Sequence, residues 1–268
     1  MEPSRQQRRG QARERARLTE RLFREGLFPT AGPPAAVILV RHLMGVLGRS
    51  GDGRRASKAA DAVHRVFEAH LRVHPALPRL DCKRGCAHCC SLIVTAAAPE
   101  VLQLAASIRQ GRAQEAAALK ARIGESRAAA GHLTIGDMVR KPVPCGLLSD
   151  DACSRYSARP LGCRGHVSQS VEACLANVAD PTARIPGSRP HGEAALDCKL
   201  ALFAALKAAR LPHRSYELNA ALERALETED AECRWLAGED VFQGVPMDPT
   251  RTPEIEALLD RMIADASA

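Results

Sequence analysis

Three things are scarce in this chain of 268 residues. Aromatic residues make up only 3% of it, with a single tryptophan. A core built from such a sequence has to be aliphatic, and a surface that stacks bases on interleaved aromatic rings is disfavoured. Long apolar runs are also missing. The most apolar stretch, Ala35 to Val40, is followed at once by Arg41 and His42, well short of the roughly 20 residues that span a bilayer. Residues from Met1 to Arg17 are polar, without the apolar segment of a secretory leader. Together these absences point to a soluble, cytoplasmic protein with no membrane span. β-Branched residues are sparse beside abundant alanine, which favours helix over sheet.

The charge balance is +7. Eight arginines against four glutamates fall within residues 1–25. A basic excess can mark a nucleic-acid surface, but here Arg13, Glu14 and Arg15 alternate as on a solvated helix face, so a nucleic-acid partner is disfavoured. Apolar periodicity predicts helices over residues 5–25, Pro34 to Leu47, Ala56 to Val73, from Pro99 onward, and Ala113 to Ala130. Further helices are expected near Ser170, Gly192 and Tyr216. The last is signed by Thr252 as cap, Pro253 in the first turn, and a face of Ile255, Leu258, Leu259, Met262 and Ile263. Residues 76–93 and 142–164 lack periodicity. Ser91 to Thr95 reads as a short strand, and Ser149-Asp150-Asp151 as a turn between two strand-like pieces. The expected fold is mainly α: a helical scaffold with two irregular cysteine-bearing metal loops and a short β-hairpin. It divides into an Arg-rich helical region (1–75), a cysteine-cluster metal-binding domain (76–180) and a helical extension (181–268).

Ten cysteines in a chain of this length are not needed as disulfide staples. Eight lie between positions 82 and 174. The first group is Cys82, Cys86, Cys89 and Cys90; the second is Cys145, Cys153, Cys163 and Cys174. Short gaps let thiolates converge on one ion, whose charge removes their mutual repulsion. Gly85 lets the backbone wrap, and Lys83 and Arg84 can offset leftover negative charge. Adjacent Cys89 and Cys90 point in opposite directions in an extended stretch, so they serve two metals, or two metals of a cluster, more easily than one. Cys198 and Cys233 sit in helical contexts and read as core or bystander residues. His88 and His166 are near enough to be ligands or proton carriers, whereas His70 and His74, at i and i+4 on a helix face, read as surface or capping residues. Cys82, Cys86 and Cys89 also fit the spacing of radical S-adenosylmethionine enzymes, but the alternating strand–helix pattern of their barrel is missing.

The string from Cys145 through Cys153-Ser-Arg-Tyr156-Ser-Ala-Arg159-Pro160-Leu-Gly-Cys163-Arg164, with the first group upstream and Cys174 downstream, resembles the YkgJ-type cysteine-cluster (CxxCxxCC) family, a putative zinc- or iron-chelating domain. The likeness covers about residues 80–175. The first gap is three residues where the family label implies two. The resemblance implies chelation of zinc or iron, or an iron–sulfur cluster, by the eight cysteines. A flagellin lysine methylase is similar in its cluster, so a protein-modifying, iron–sulfur-dependent enzyme with a protein substrate is one alternative, and a thiol redox or metal sensor is another. Beside the ligands, Arg159 and Arg164 are expected to donate hydrogen bonds to thiolates or to bind an anion, and Pro160 to stiffen the approach to Cys163.

Overall fold

The computed structural model describes residues 33–249 and 252–268; the helix expected over 5–25 lies outside them. Among the described residues there are eleven α-helices and two small two-stranded sheets, so the mainly α expectation holds. No helix among them is long and apolar enough to cross a membrane.

Helix α1 (Pro33–Leu47) starts on two prolines, whose missing N–H groups cost nothing in a first turn. Helix α2 (Arg55–Val73) buries Ala56, Ala59, Ala60, Val63 and Phe67, the 3–4 spacing of one apolar stripe. Helix α3 (Ala98–Arg109) and α4 (Ala113–Ala130) follow, then the short α5 (Ile135–Arg140), which opens with a capping box in which Thr134 and Asp137 exchange hydrogen bonds. The cysteine region adds α6 (Leu161–Gly165) and α7 (Val171–Ala179). Helix α8 (Arg189–Ala208) crosses the molecule, packing against α1, α2 and α6. The chain closes with α9 (Leu218–Glu227), α10 (Ala231–Leu236) and α11 (Pro253–Ser267). As the sequence predicts, Thr252 caps α11, accepting from Ile255 N at 3.4 Å. Arg41 Nε donates to Ala266 O at 2.8 Å and ties this last helix to α1.

One contiguous apolar core runs from Leu39 to Ala266. It is aliphatic, as the lack of aromatics requires. Leu43, Leu104, Leu202 and Leu222 have no exposure, and buried alanines such as Ala201, Ala204, Ala205, Ala221 and Ala225 let helices approach closely. Each fully buried leucine contributes roughly 1.5–3 kcal/mol.

The strand sits slightly later than the sequence suggests. Strand β1 is Thr95–Ala97, and it pairs antiparallel with β4 (Ser215–Glu217), Thr95 opposite Glu217 and Ala97 opposite Ser215. Each strand runs straight into a helix, β1 into α3 and β4 into α9, and those helices pack together. The hairpin β2 (Leu148–Ser149) and β3 (Ala152–Cys153) forms where expected. Its turn residues Asp150 and Asp151 both have positive φ, 49° and 57°, the conformation that matches the strand twist and that aspartate tolerates. The span 142–164 is more ordered than its lack of periodicity implies: besides the hairpin it contains the start of α6, which carries Cys163. A single turn is too short to write a 3.6-residue period.

Candidate metal centre

The clustered cysteines are delivered by five short pieces of chain. Cys82 and Cys86 flank a tight turn in which Cys86 N donates to Lys83 O at 3.1 Å, and Gly85 at φ 91° takes a backbone conformation that side chains disfavour. Cys89 and Cys90 lie on a 3₁₀ turn, His88–Ser91, rather than in the extended stretch that would point them apart, and their side chains hydrogen-bond to each other. Cys145 precedes the hairpin, Cys153 ends it, Cys163 is on α6 and Cys174 on α7. The loops are tied by backbone bonds: Cys145 N to Cys90 O at 2.8 Å, and Asp81 N to Ser168 O at 3.1 Å.

A cavity of about 480 Å³ lies where these pieces meet, and Cys86, Cys89, Cys90, Cys145, Cys153 and Cys163 line it. Cys82 and Cys174 are not in its wall. They belong to the same electrostatic neighbourhood, since Cys86, Cys89 and Cys174 all act on the Cys82 thiol. Cys163 responds instead to Cys145, Cys153 and Cys89. Cys89 is therefore common to two groups, one toward Cys82 and one toward Cys163. All ten cysteines are free thiols.

Five of the clustered thiols, Cys82, Cys89, Cys145, Cys153 and Cys163, resist ionisation. Burial pushes Cys145 up to about 12, partly opposed by a hydrogen bond from the Leu147 backbone. Burial also raises Cys163, with the charges of Cys145, Cys153 and Cys89 adding to it. Cys89 is raised first by its hydrogen bond with Cys90, then by burial. Burial raises Cys82, while the Ser168 N–H, 3.1 Å from its sulfur, works the other way. This is a soft donor set short of positive charge, the chemistry that a thiophilic cation relieves. It fits zinc or iron in ligand type and in number. Among the described residues, no three His, Cys, Asp or Glu side chains stand where one ion would already meet them all.

The arginines behave differently from one another. Arg159 stacks on Tyr156, its guanidinium carbon 3.6 Å from the ring centroid, and its Nε donates to Tyr156 O at 3.1 Å. Its charge favours the thiolates of Cys89, Cys153 and Cys163. Arg164 does not serve the thiolates as the sequence suggested. It is buried, and its donors go to Glu68, to Ser157 O and to Arg159 O. A guanidinium with that many fixed acceptors is a brace for the loop. Of the histidines, His166 lines the cavity and is lowered by burial. His88 is on the 3₁₀ turn outside the cavity wall. His70 and His74 do lie together, their rings 5.8 Å apart. Cys198 is core, 3% exposed, and Cys233 is exposed, its sulfur against Gly53 O at 3.8 Å.

Two residues escaped sequence reasoning. Glu100 is fully buried at the cavity edge. Its Oε1 accepts from Leu161 N at 2.7 Å and faces His64 Nε2 at 3.2 Å, and its Oε2 accepts from Ala97 N at 3.0 Å. It thereby pins the start of α6, and so Cys163, to α2 and β1. Burial alone would raise its pKa, but the His64 bond and charge and the two N–H groups hold it below the ordinary carboxylate range. An acid inside the apolar run Ala96 to Leu102 is the signal that could have revealed it. Asn219 is the second: its Oδ1 accepts from Gly146 N at 3.0 Å and fastens the cysteine loop to α9.

The family model CxxCxxCC, described as "Putative zinc- or iron-chelating domain", matches residues 81–179. That span includes all eight clustered cysteines. No curated protein and no solved structure matches the chain.

Proposed function

We propose that Cys82, Cys86, Cys89, Cys90, Cys145, Cys153, Cys163 and Cys174 bind zinc or iron as two adjacent metals or as a cluster, with Cys89 and Cys90 at the seam. The observation that carries this reading is the convergence of six of these cysteines on one cavity, with Cys82 and Cys174 coupled behind them. Cys82, Cys86 and Cys174 form one side, and Cys145, Cys153 and Cys163 the other. The match to a zinc- or iron-chelating domain supports it. A bound cation would supply the positive charge that the thiols lack, and binding would release their protons. Metal content of anaerobically purified protein, measured by mass spectrometry, tests the reading. Serine substitution on either side should lower the stoichiometry while the other side still binds. Protein that takes up neither metal would sink it.

The room beside the cysteines favours a second reading, an iron-dependent modifying enzyme. A structural zinc site is closed by four protein ligands, whereas a catalytic metal keeps a position open to substrate. A coloured protein with visible absorption supports this version. Colourless protein holding only zinc removes it.

A further inference from the structure

Helix α8 presents one face to the core and another, which Ala195 shares with the core edge, to the cysteine cavity. Ala194, Cys198, Ala201, Leu202 and Ala205 are buried against the scaffold. A second stripe, Gly192, Ala195, Leu196 and Lys199, at i, i+3, i+4 and i+7, lines the cysteine cavity. Leu196 is 55% exposed there, a large apolar side chain left at the mouth. Nothing lies within 4 Å of the position a Gly192 Cβ would take, so that glycine leaves open space. This wall lies outside residues 81–179, the span that matches the chelating domain. The cavity is thus shared between that domain and a helix contributed by the rest of the chain.

At about 480 Å³ the space is far larger than an ion requires and falls in the range of small-molecule sites. Val94, Leu161 and Leu218 continue its apolar surface. Glu100, the one acid in the wall among the described residues, has both oxygens committed to His64, Leu161 and Ala97. Arg159 is held over Tyr156, with its charge directed at the cysteines. Lys199 is held more loosely. It stands at the end of the α8 stripe, its ion pair with Asp248 is stretched to 3.9 Å, and its Nζ lies 5.6 Å from the centroid of the Phe203 ring.

We propose that this cavity binds a small monocarboxylate with an apolar body, a short acyl chain, its carbons against Leu161, Ala195 and Leu196 and its carboxylate on Lys199 Nζ. The inference rests on the metal reading only in that bound metal closes the cysteine wall.

The test is calorimetric titration of the metal-loaded full chain with butanoate, hexanoate and octanoate, and with octan-1-ol as the neutral match. Octanoate should bind saturably at one site. Each two-carbon step should tighten binding by about 15-fold, and octan-1-ol should bind about tenfold more weakly than octanoate. Lys199→Gln should cost octanoate about tenfold and leave octan-1-ol unchanged. Leu196→Asp, at an exposed position that folding tolerates, should abolish binding of both. Metal content, measured on every sample, should equal that of the parent. Absence of saturable octanoate binding by loaded protein overturns the proposal and leaves the metal reading standing. Equal affinity for octan-1-ol, or an unchanged Lys199→Gln variant, also overturns it. The protein as purified is titrated in parallel. Octanoate bound saturably by a chain that takes up neither zinc nor iron would keep this site and overturn the metal reading.

Discussion

The scaffold and the cysteine region of this molecule are held together by different means. The helices α1, α3, α8 and α9 bury leucine and alanine with no exposure at Leu43, Leu104, Leu202 and Leu222. Between Cys82 and Cys163, by contrast, none of the seven cysteines is fully buried, the strands of the hairpin are two residues long, and α6 is a single turn. The scaffold folds by removing carbon from water. The cysteine region has a few backbone ties, the Glu100 anchor and the Arg164 brace, and thiols that burial and one another's charge keep from ionising. One half is held by apolar packing, and the other by a small number of polar ties, which the proposed metal would supplement.

Chelation should break the comparison most sharply. Metal removal should erase hydrogen-exchange protection at Cys90 and Cys145 while α8 and α9 stay protected and helical circular dichroism changes little, because structural metal sites contribute on the order of 10 kcal/mol to local order. Loss of the whole fold on chelation would show that the scaffold is not independent. Leu202→Ala should do the reverse, costing about 2–5 kcal/mol in denaturant unfolding with metal stoichiometry intact. Gly146→Ala couples the halves. An added Cβ would lie 2.5 Å from Ile123 Cα, so about 1–3 kcal/mol of strain is expected, read as weaker metal affinity and a lower unfolding midpoint.

The Glu100 anchor gives a smaller, pH-dependent effect. Its carboxyl is held below the ordinary range, so the unfolded chain takes up the proton first. The stabilisation is complete above the ordinary carboxylate range and disappears as pH falls through the folded value. Urea midpoints from about pH 6 down to 3 should therefore fall more steeply for the parent than for Glu100→Gln. Cys233→Ser, at an exposed site, should change stability by no more than about 0.5 kcal/mol and leave metal content unaltered. A drop in metal content there would add a ligand from outside the matched domain.

Much of the scaffold was legible because its helices are long enough to repeat. The helix from Ala56 to Val73 and the Thr252–Pro253 start are local patterns, and both appear where they were expected. The hairpin was legible because its turn chemistry is local too. Pairing of Thr95–Ala97 with Ser215–Glu217 was not, since its partners are about 120 positions apart and each strand is three residues long. Spacing set Cys198 apart from the clustered cysteines but did not group them: it put Cys174 with Cys145, Cys153 and Cys163, whereas in the fold Cys174 acts on Cys82. The α8 wall of the cavity was not. Gly192, Ala195, Leu196 and Lys199 read as an ordinary helix face until the fold turns them toward the cysteines.

The most direct test is metal analysis joined to exchange. Protein purified without oxygen should contain zinc or iron in at least stoichiometric amount. Replacing both Cys89 and Cys90 by serine should remove most of that metal and, with it, the exchange protection of Cys145, while α8 and α9 keep theirs. A metal-free parent protein whose cysteine loops are already as protected as its helices would contradict the account.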